Sequence, residues 1–192
     1  MNSLIFLLLT VLVTTSYAKE KCFVEIDRDD MELHWEAFKF PGAEKTGVKG
    51  TLRNLGLKDE YKGESLSAIF KDLEFNIDTR SVWTRNSMRD AKLVKYFFSN
   101  MIGGTIIKGK TLEYKDNKLK VRLIMNSFSR DITMNVVNKD ERFTATAVID
   151  VLDWGLEKSL SAINEACTEL HKGKTWSDVN IKLTLTYEND CD

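Results

Sequence analysis

The chain has 192 residues, with 28 basic against 29 acidic side chains and a formal net charge of −1. Charges this evenly balanced, scattered along the chain without a basic cluster, exclude the electrostatic footprint of a nucleic-acid binder. The length suits one domain around one core, and a single proline, Pro41, leaves no linker composition anywhere.

The first eighteen residues read as a leader. Residues 4–13 are apolar apart from Thr10, and Ser16 and Ala18 are small residues at the −3 and −1 positions that a signal peptidase accepts. An apolar run of about ten residues is half of the roughly twenty needed to span a bilayer. It departs from the usual leader in having no Lys or Arg ahead of it. Lys19-Glu20-Lys21 before Cys22 is not the small, apolar setting of a lipidated cysteine. The expectation is an exported chain, periplasmic or secreted, with residues 1–18 removed and residues 19–192 forming one soluble domain without stable membrane insertion.

Alternation dominates the rest of the chain. Leu33, Trp35 and Ala37 alternate with His34 and Glu36, the period-two pattern of a strand with one wet and one dry face. Residues 66–72 predict one or two helical turns behind Ser65 as N-cap. Residues 86–99 place Met88, Leu93, Val94, Phe97 and Phe98 on roughly one helical face, with Asn86 or Ser87 as the cap. Residues 104–152 then alternate again, through Leu119, Val121, Leu123 and Met125, through Ile132, Met134 and Val136, and through Phe143, Ala145, Ala147, Ile149 and Val151. Short turn signals at Lys115-Asp116-Asn117, Asn126-Ser127 and Asn138-Lys139-Asp140 predict a four-strand antiparallel meander. Over residues 154–171, Leu156, Leu160, Ile163, Ala166, Cys167 and Leu170 recur at helical spacing, and Gly173 stands where a C-cap glycine belongs. The chain closes on a strand with Ile181, Leu183, Leu185 and Tyr187 facing one way. The fold class is mainly β, an antiparallel sheet of about eight strands with one or two short helices. Closing such a sheet into a barrel removes its edges and leaves room for side chains or one small ligand; a sandwich is the alternative.

Three cysteines remain, Cys22, Cys167 and Cys191. In an oxidising compartment two of them pair. If the first and last strands lie antiparallel their ends meet, which favours Cys22–Cys191 over Cys22–Cys167. The cysteine spacing matches no zinc pattern, and His34 and His171 are the only histidines, so no metal is expected. His34 faces the wet side with Glu36, and His171 ends a helix. Asp27, Asp29 and Asp30 lack the glycine and the terminal glutamate of a calcium loop. With no G-x-S-x-G, no H-E-x-x-H and no glycine-rich phosphate loop, neither catalysis nor a cofactor is expected.

Three segments carry a family resemblance. Gly47-Val48-Lys49-Gly50-Thr51-Leu52 resembles the strand that opens with a G-x-F type motif in the YceI-like family of bacterial periplasmic proteins. Residues 73–82, with Ile77-Asp78 and Ser81-Val82, resemble that family's I-D-x-x-S-V/I strand. Arg89-Asp90-Ala91-Lys92-Leu93, followed by Phe97-Phe98, resembles its R-D-x-H-L-x-x-x-x-F-F helix. The ordered set covers much of the chain. It implies an extended, lipocalin-like antiparallel barrel whose apolar tunnel holds a polyisoprenoid or a similar long lipid. Lys92 stands where the family usually has histidine, so no role of that imidazole carries over.

From these patterns the candidate apolar lining is Trp35, Phe75, Met88, Leu93, Phe97, Phe98, Met101, Leu123, Met125 and Phe143. The candidate polar mouth is Arg89, Asp90 and Lys92; for Arg89 and Asp90 the alternative is a set of hydrogen bonds joining helix to barrel. The expected partner is a lipid or isoprenoid small molecule, and pairing through an exposed strand makes a homodimer possible. The competing reading is a structural or partner-binding barrel filled by its own aromatic side chains.

Overall fold

The computed structural model describes residues 22–57 and 61–191, and the leader expected over residues 1–18 lies outside them. The chain opens with β1 (Cys22–Lys39), β2 (Thr46–Leu52), β3 (Leu55–Leu57) and the short β4 (Lys62–Gly63). One helical turn, α1 (Leu66–Ile69), leads into β5 (Glu74–Asp78) and β6 (Val82–Trp83). The helix α2 (Ser87–Lys92) continues as a π turn (Leu93–Phe97) and a 3-10 turn (Phe98–Asn100). The strands β7 (Ile106–Lys115), β8 (Lys118–Met125), β9 (Phe128–Lys139) and β10 (Arg142–Asp150) form the predicted meander. After it come α3 (Glu157–Ala166), α4 (Thr168–His171) and the long β11 (Thr175–Cys191).

The meander turns as its sequence requires. Asp116-Asn117, Asn126-Ser127 and Asp140-Glu141 each put two consecutive residues at φ between 50° and 64°. That is the left-handed pair whose twist matches the flanking strands. Asn and Asp tolerate this conformation because their short polar side chains bond locally.

All strand pairs are antiparallel, in the order β3-β5-β7-β8-β9-β10-β11-β1-β2-β6. The two ends of that order are joined through the chain itself. β2 runs on into β3, and β5 into β6, so β2/β3 and β5/β6 are two kinked strands facing each other. Thr51 pairs with Trp83 and Leu52 with Val82, and beyond the kink Leu55 pairs with Ile77 and Leu57 with Phe75. Backbone bonds from Arg53 N to Ser81 O (3.4 Å) and from Asp78 N to Asn54 O (3.1 Å) bridge the gap. Counted this way, eight strands close a barrel, which satisfies the edge groups that an open sheet would leave unpaired. A sandwich is not formed.

One irregularity sets which side chains face inward. Between Asp27 and Glu32 four residues of β1 oppose a single residue of β11, and the register resumes at Glu32–Thr184. Val24 and Ile26 point inward before this bulge, and Leu33, Trp35 and Ala37 after it. The bulge therefore resets the alternation that a one-residue slip would otherwise invert.

The two barrel ends are closed differently. Both main helical segments sit at the end where β1, β6, β8 and β10 finish. Asn126, in the tight β8–β9 turn, secures them: its Oδ1 accepts from Ile102 N (2.7 Å) and its Nδ2 donates to Trp154 O and Gly155 O (both 2.8 Å). At the other end Phe70, Tyr114 and Phe143 pack as a triad with ring centroids 4.9–5.9 Å apart. The helix predicted over residues 154–171 is broken into pieces. A 3-10 turn (Val151–Trp154) stops at Gly155 with φ +63°, and α3 stops at Cys167, where φ of −125° interrupts the helical path before α4.

Candidate functional site

Between the helical cap and the aromatic triad lies a cavity of about 210 Å³. Its wall is apolar almost throughout, because the long strands turn their dry faces toward it. The strands β7, β8, β9 and β11 supply Ile107, Leu119, Val121, Leu123, Met125, Ile132, Met134, Val179, Ile181, Leu183 and Leu185. The helices close it with Leu93, Phe97, Phe98, Leu156, Leu160 and Ile163. Its two threonines are Thr111 and Thr175. The Thr111 hydroxyl donates to Phe70 O at 2.6 Å, a bond within the wall. No charged side chain is among the described lining residues.

The structure brings most of the candidate lining together. Trp35, Phe75, Leu93, Phe97, Phe98, Met101, Leu123 and Met125 all line the cavity. Met88 does not: it is 76% exposed. It stands five residues before Leu93, about 140° round a helix of 3.6 residues per turn, so the two cannot share a face. Phe143 is fully buried but lies behind Phe70, as part of the triad that plugs the barrel end. Leu93, Phe97 and Phe98 reach the wall together because the helix widens into a π turn at Leu93–Phe97. Leu33, Ile181, Leu183, Leu156, Leu160 and Ile163 also line the cavity without having been singled out as lining from sequence, although their strand alternation and helical spacing carry the signal.

Two rings in the wall depend on glycines. Trp35 pairs with Gly50 across β1 and β2, and Phe75 pairs with Gly109 across β5 and β7. A Cβ at Gly50 would meet Trp35 Cζ2 at 2.5 Å, and one at Gly109 would meet Phe75 Cζ at 2.0 Å. Each ring lies across the backbone of its glycine, so the indole and phenyl planes form wall instead of filling the lumen.

The candidate mouth residues are placed differently from the expectation. Arg89, Asp90 and Lys92 are absent from the cavity wall. Asp90 Oδ1 accepts from Thr84 N (3.0 Å) and Thr84 Oγ1 (2.5 Å), while Arg89 Nε donates to Thr84 Oγ1 and Nη2 to Thr84 O (both 2.8 Å). The pair thus ties α2 to the end of β6 through the buried Thr84 and satisfies its own charges, as groups leaving water must. Lys92 Nζ donates to Ala166 O at 3.3 Å, bridging α2 to the last carbonyls of α3.

Cys22 stands opposite Cys191 in the β1–β11 register. Cys167 is a buried free thiol. It caps α3 at the helical end of the barrel, whereas Cys22 begins β1 at the other, which overturns the Cys22–Cys167 alternative. His171 is only 7% exposed, sits edge-on to Phe40 at 6.4 Å, and has no partner for Nδ1. Burial holds its pKa below the ordinary histidine value, reinforced by Lys39 and Lys92 and opposed by the backbone of Lys174 and His171.

A family model for the YceI-like domain matches residues 24–187. Solved structures share the architecture at low sequence identity. A polyisoprenoid binding domain from Saccharophagus degradans, implicated in plant cell wall breakdown, superposes with a TM-score of 0.63 at 14% identity, covering 87% of this chain and 98% of that one. BcnA from Burkholderia cenocepacia gives a TM-score of 0.58 at 11% identity, covering 85% and 99%. The Campylobacter jejuni YceI protein gives 0.53 at 21% identity, covering 80% and 91%. No curated protein matches in sequence. At these identities the likeness to solved structures shows the fold. Among the described residues no helix is long and apolar enough to cross a membrane.

Proposed function

Since this chain belongs to the YceI-like family, we propose that it is an exported binding protein that carries one long apolar molecule, a polyisoprenoid or a comparable lipid, inside its barrel. The observation that carries this reading is the composition of the cavity wall, which is hydrocarbon and aromatic apart from Thr111 and Thr175, with the Thr111 hydroxyl bonded within the wall. Such a wall recognises a chain by removing it from water, a contribution of about 0.8 kcal/mol for each methylene buried. It has no means to hold a charge, since an ion without a partner or hydrogen bonds is costly to bury. It also presents no nucleophile and no acid–base pair to a bound molecule, so the reading is carriage, not turnover. The polyisoprenoid named for the Saccharophagus degradans domain is consistent with the same wall chemistry.

Export accompanies this reading through the leader expected over residues 1–18, and so does a disulfide between Cys22 and Cys191, which meet at the strand ends. The deciding experiment is native mass spectrometry of the protein purified from the exported fraction, followed by denaturation and lipid analysis. A hydrocarbon-rich adduct of several hundred daltons, released on unfolding, is the expected result. A clean apo mass that takes up neither added isoprenoids nor fatty acids would overturn the reading in favour of a barrel filled by its own side chains.

A further inference from the structure

The outside of the helical end of the barrel is unlike the rest of the surface. Ile102, Ile106, Ile124, Phe128 and Leu152 are each 37–65% exposed there, grouped around the β8–β9 turn. Asn126 in that turn accepts from Ile102 N at 2.7 Å. The Phe128 ring lies over Gly155, where an added Cβ would meet Cε2 at 2.9 Å, and Gly155 N donates to Leu152 O. Ile106 and Ile124 point outward on the adjoining strands β7 and β8. Single apolar side chains on a surface are ordinary, whereas a group of them marks a contact with another body.

The charges around this group carry one sign. Lys108 stands opposite Ile124 across β7 and β8 and points outward with it. The Arg130 guanidinium is 5.5 Å from the centroid of the Phe128 ring and donates to Ser129 O. Neither cation is in an ion pair, because the nearby carboxylates are engaged elsewhere: Asp78 holds Arg80 at 2.8 Å, Asp131 holds Arg122 at 2.6 Å, and Asp150 accepts from Leu152 N. Beyond Leu152 the signs mix, with Asp153 and Glu157 against Lys158.

We propose that this end of the barrel docks reversibly on an anionic phospholipid bilayer, with Ile102, Ile124 and Phe128 among the acyl chains and Lys108 and Arg130 at the phosphates. A second copy fits the surface poorly, since a two-fold contact would set the same unpaired cations against each other. The position suits a bilayer for a further reason. Met101 and Met125, the chain neighbours of Ile102 and Asn126, line the cavity. One layer of side chains therefore separates the docked surface from the interior.

The test is co-sedimentation of the full protein with phosphatidylcholine vesicles, with and without about 30% phosphatidylglycerol. The native protein binds the anionic vesicles about tenfold more tightly than the neutral ones, and salt at about 0.5 M removes the difference. Ile102→Ser with Ile124→Thr changes only exposed positions and lowers binding to the anionic vesicles about tenfold, with the unfolding midpoint little changed. Lys108→Gln with Arg130→Gln reduces that binding to the level seen on neutral vesicles. Uptake of the hydrocarbon squalene from the anionic vesicles, which rests on the carrier reading, slows by a similar factor in the Ile102→Ser, Ile124→Thr variant. Vesicle binding without squalene uptake supports the docking surface and overturns the carrier reading alone. Equal binding by the native protein and both variants, or no binding to either vesicle, overturns the docking surface and leaves the carrier reading standing. A native dimer that these isoleucine substitutions split, without binding to vesicles, assigns the surface to a second copy and overturns the proposal.

Discussion

Gly109→Ala probes the cavity wall without adding any group that could bind a ligand. The added Cβ would lie 2.0, 2.3 and 2.6 Å from Cζ, Cε2 and Cε1 of Phe75. Carbon atoms pack at about 3.5–4.0 Å, so the ring must retreat by roughly 1.5 Å. The backbone of β7 blocks one side, and the ring can move only into the cavity it lines. Overpacking of this kind costs about 1–3 kcal/mol. For a domain of this size each kcal/mol lowers the unfolding midpoint by about 2–4 °C, so the expected drop is roughly 2–12 °C. The displaced ring removes room for one or two methylenes of ligand. At about 0.8 kcal/mol each, affinity for squalene falls about 4- to 15-fold. Phe75→Leu in the same background relieves the contact, and a double-mutant cycle on both stability and squalene binding measures the coupling. Squalene affinity unchanged in Gly109→Ala would refute the account of the ring as wall. So would a loss that persists in the double variant while Phe75→Leu alone binds normally.

The buried His171 predicts a pH dependence. Because burial lowers its pKa in the folded protein, the unfolded chain binds the extra proton first. Its contribution to stability is therefore complete above the ordinary histidine pKa of about 6.5 and is lost as pH falls from there toward the lower folded value. Thermal unfolding followed from pH 7.5 to pH 5 should show the native protein losing more stability than His171→Leu; parallel profiles would count against the buried imidazole as the cause. Alkylation of the denatured, unreduced protein should label Cys167 and leave Cys22 and Cys191 unlabelled. Reduction should then destabilise the fold by up to about 5 kcal/mol in the chain-entropy picture of so long a loop. Labelling of all three cysteines before reduction would remove the disulfide from the account.

Which elements are legible in the sequence depends on how far each signal reaches along the chain. Alternation at Leu119–Val121–Leu123–Met125 and at Leu33–Trp35–Ala37 identifies strands and their dry faces from a few neighbouring residues. The paired turn residues Asp116-Asn117 and Asn126-Ser127 mark hairpins just as locally, so the meander of β7 to β10 can be read in place. Those patterns determine an antiparallel sheet with an apolar interior. They do not reveal that β2/β3 and β5/β6 close it across two kinks, because that pairing depends on contacts between distant segments. The role of Arg89 and Asp90 is hidden in the sequence for a related reason: their partner is Thr84, and only the bend from β6 into α2 turns both side chains onto it. Met88 stands about 140° from Leu93 on an ordinary helix, so helical spacing alone already separates it from the wall. The sequence alone also does not distinguish Phe75 and Trp35, which form wall, from Phe143, which forms a plug. That depends on whether a glycine stands across the strand pair, as Gly50 and Gly109 do, or rings from elsewhere in the fold pack against it, as Phe70 and Tyr114 do on Phe143, and tertiary packing decides it.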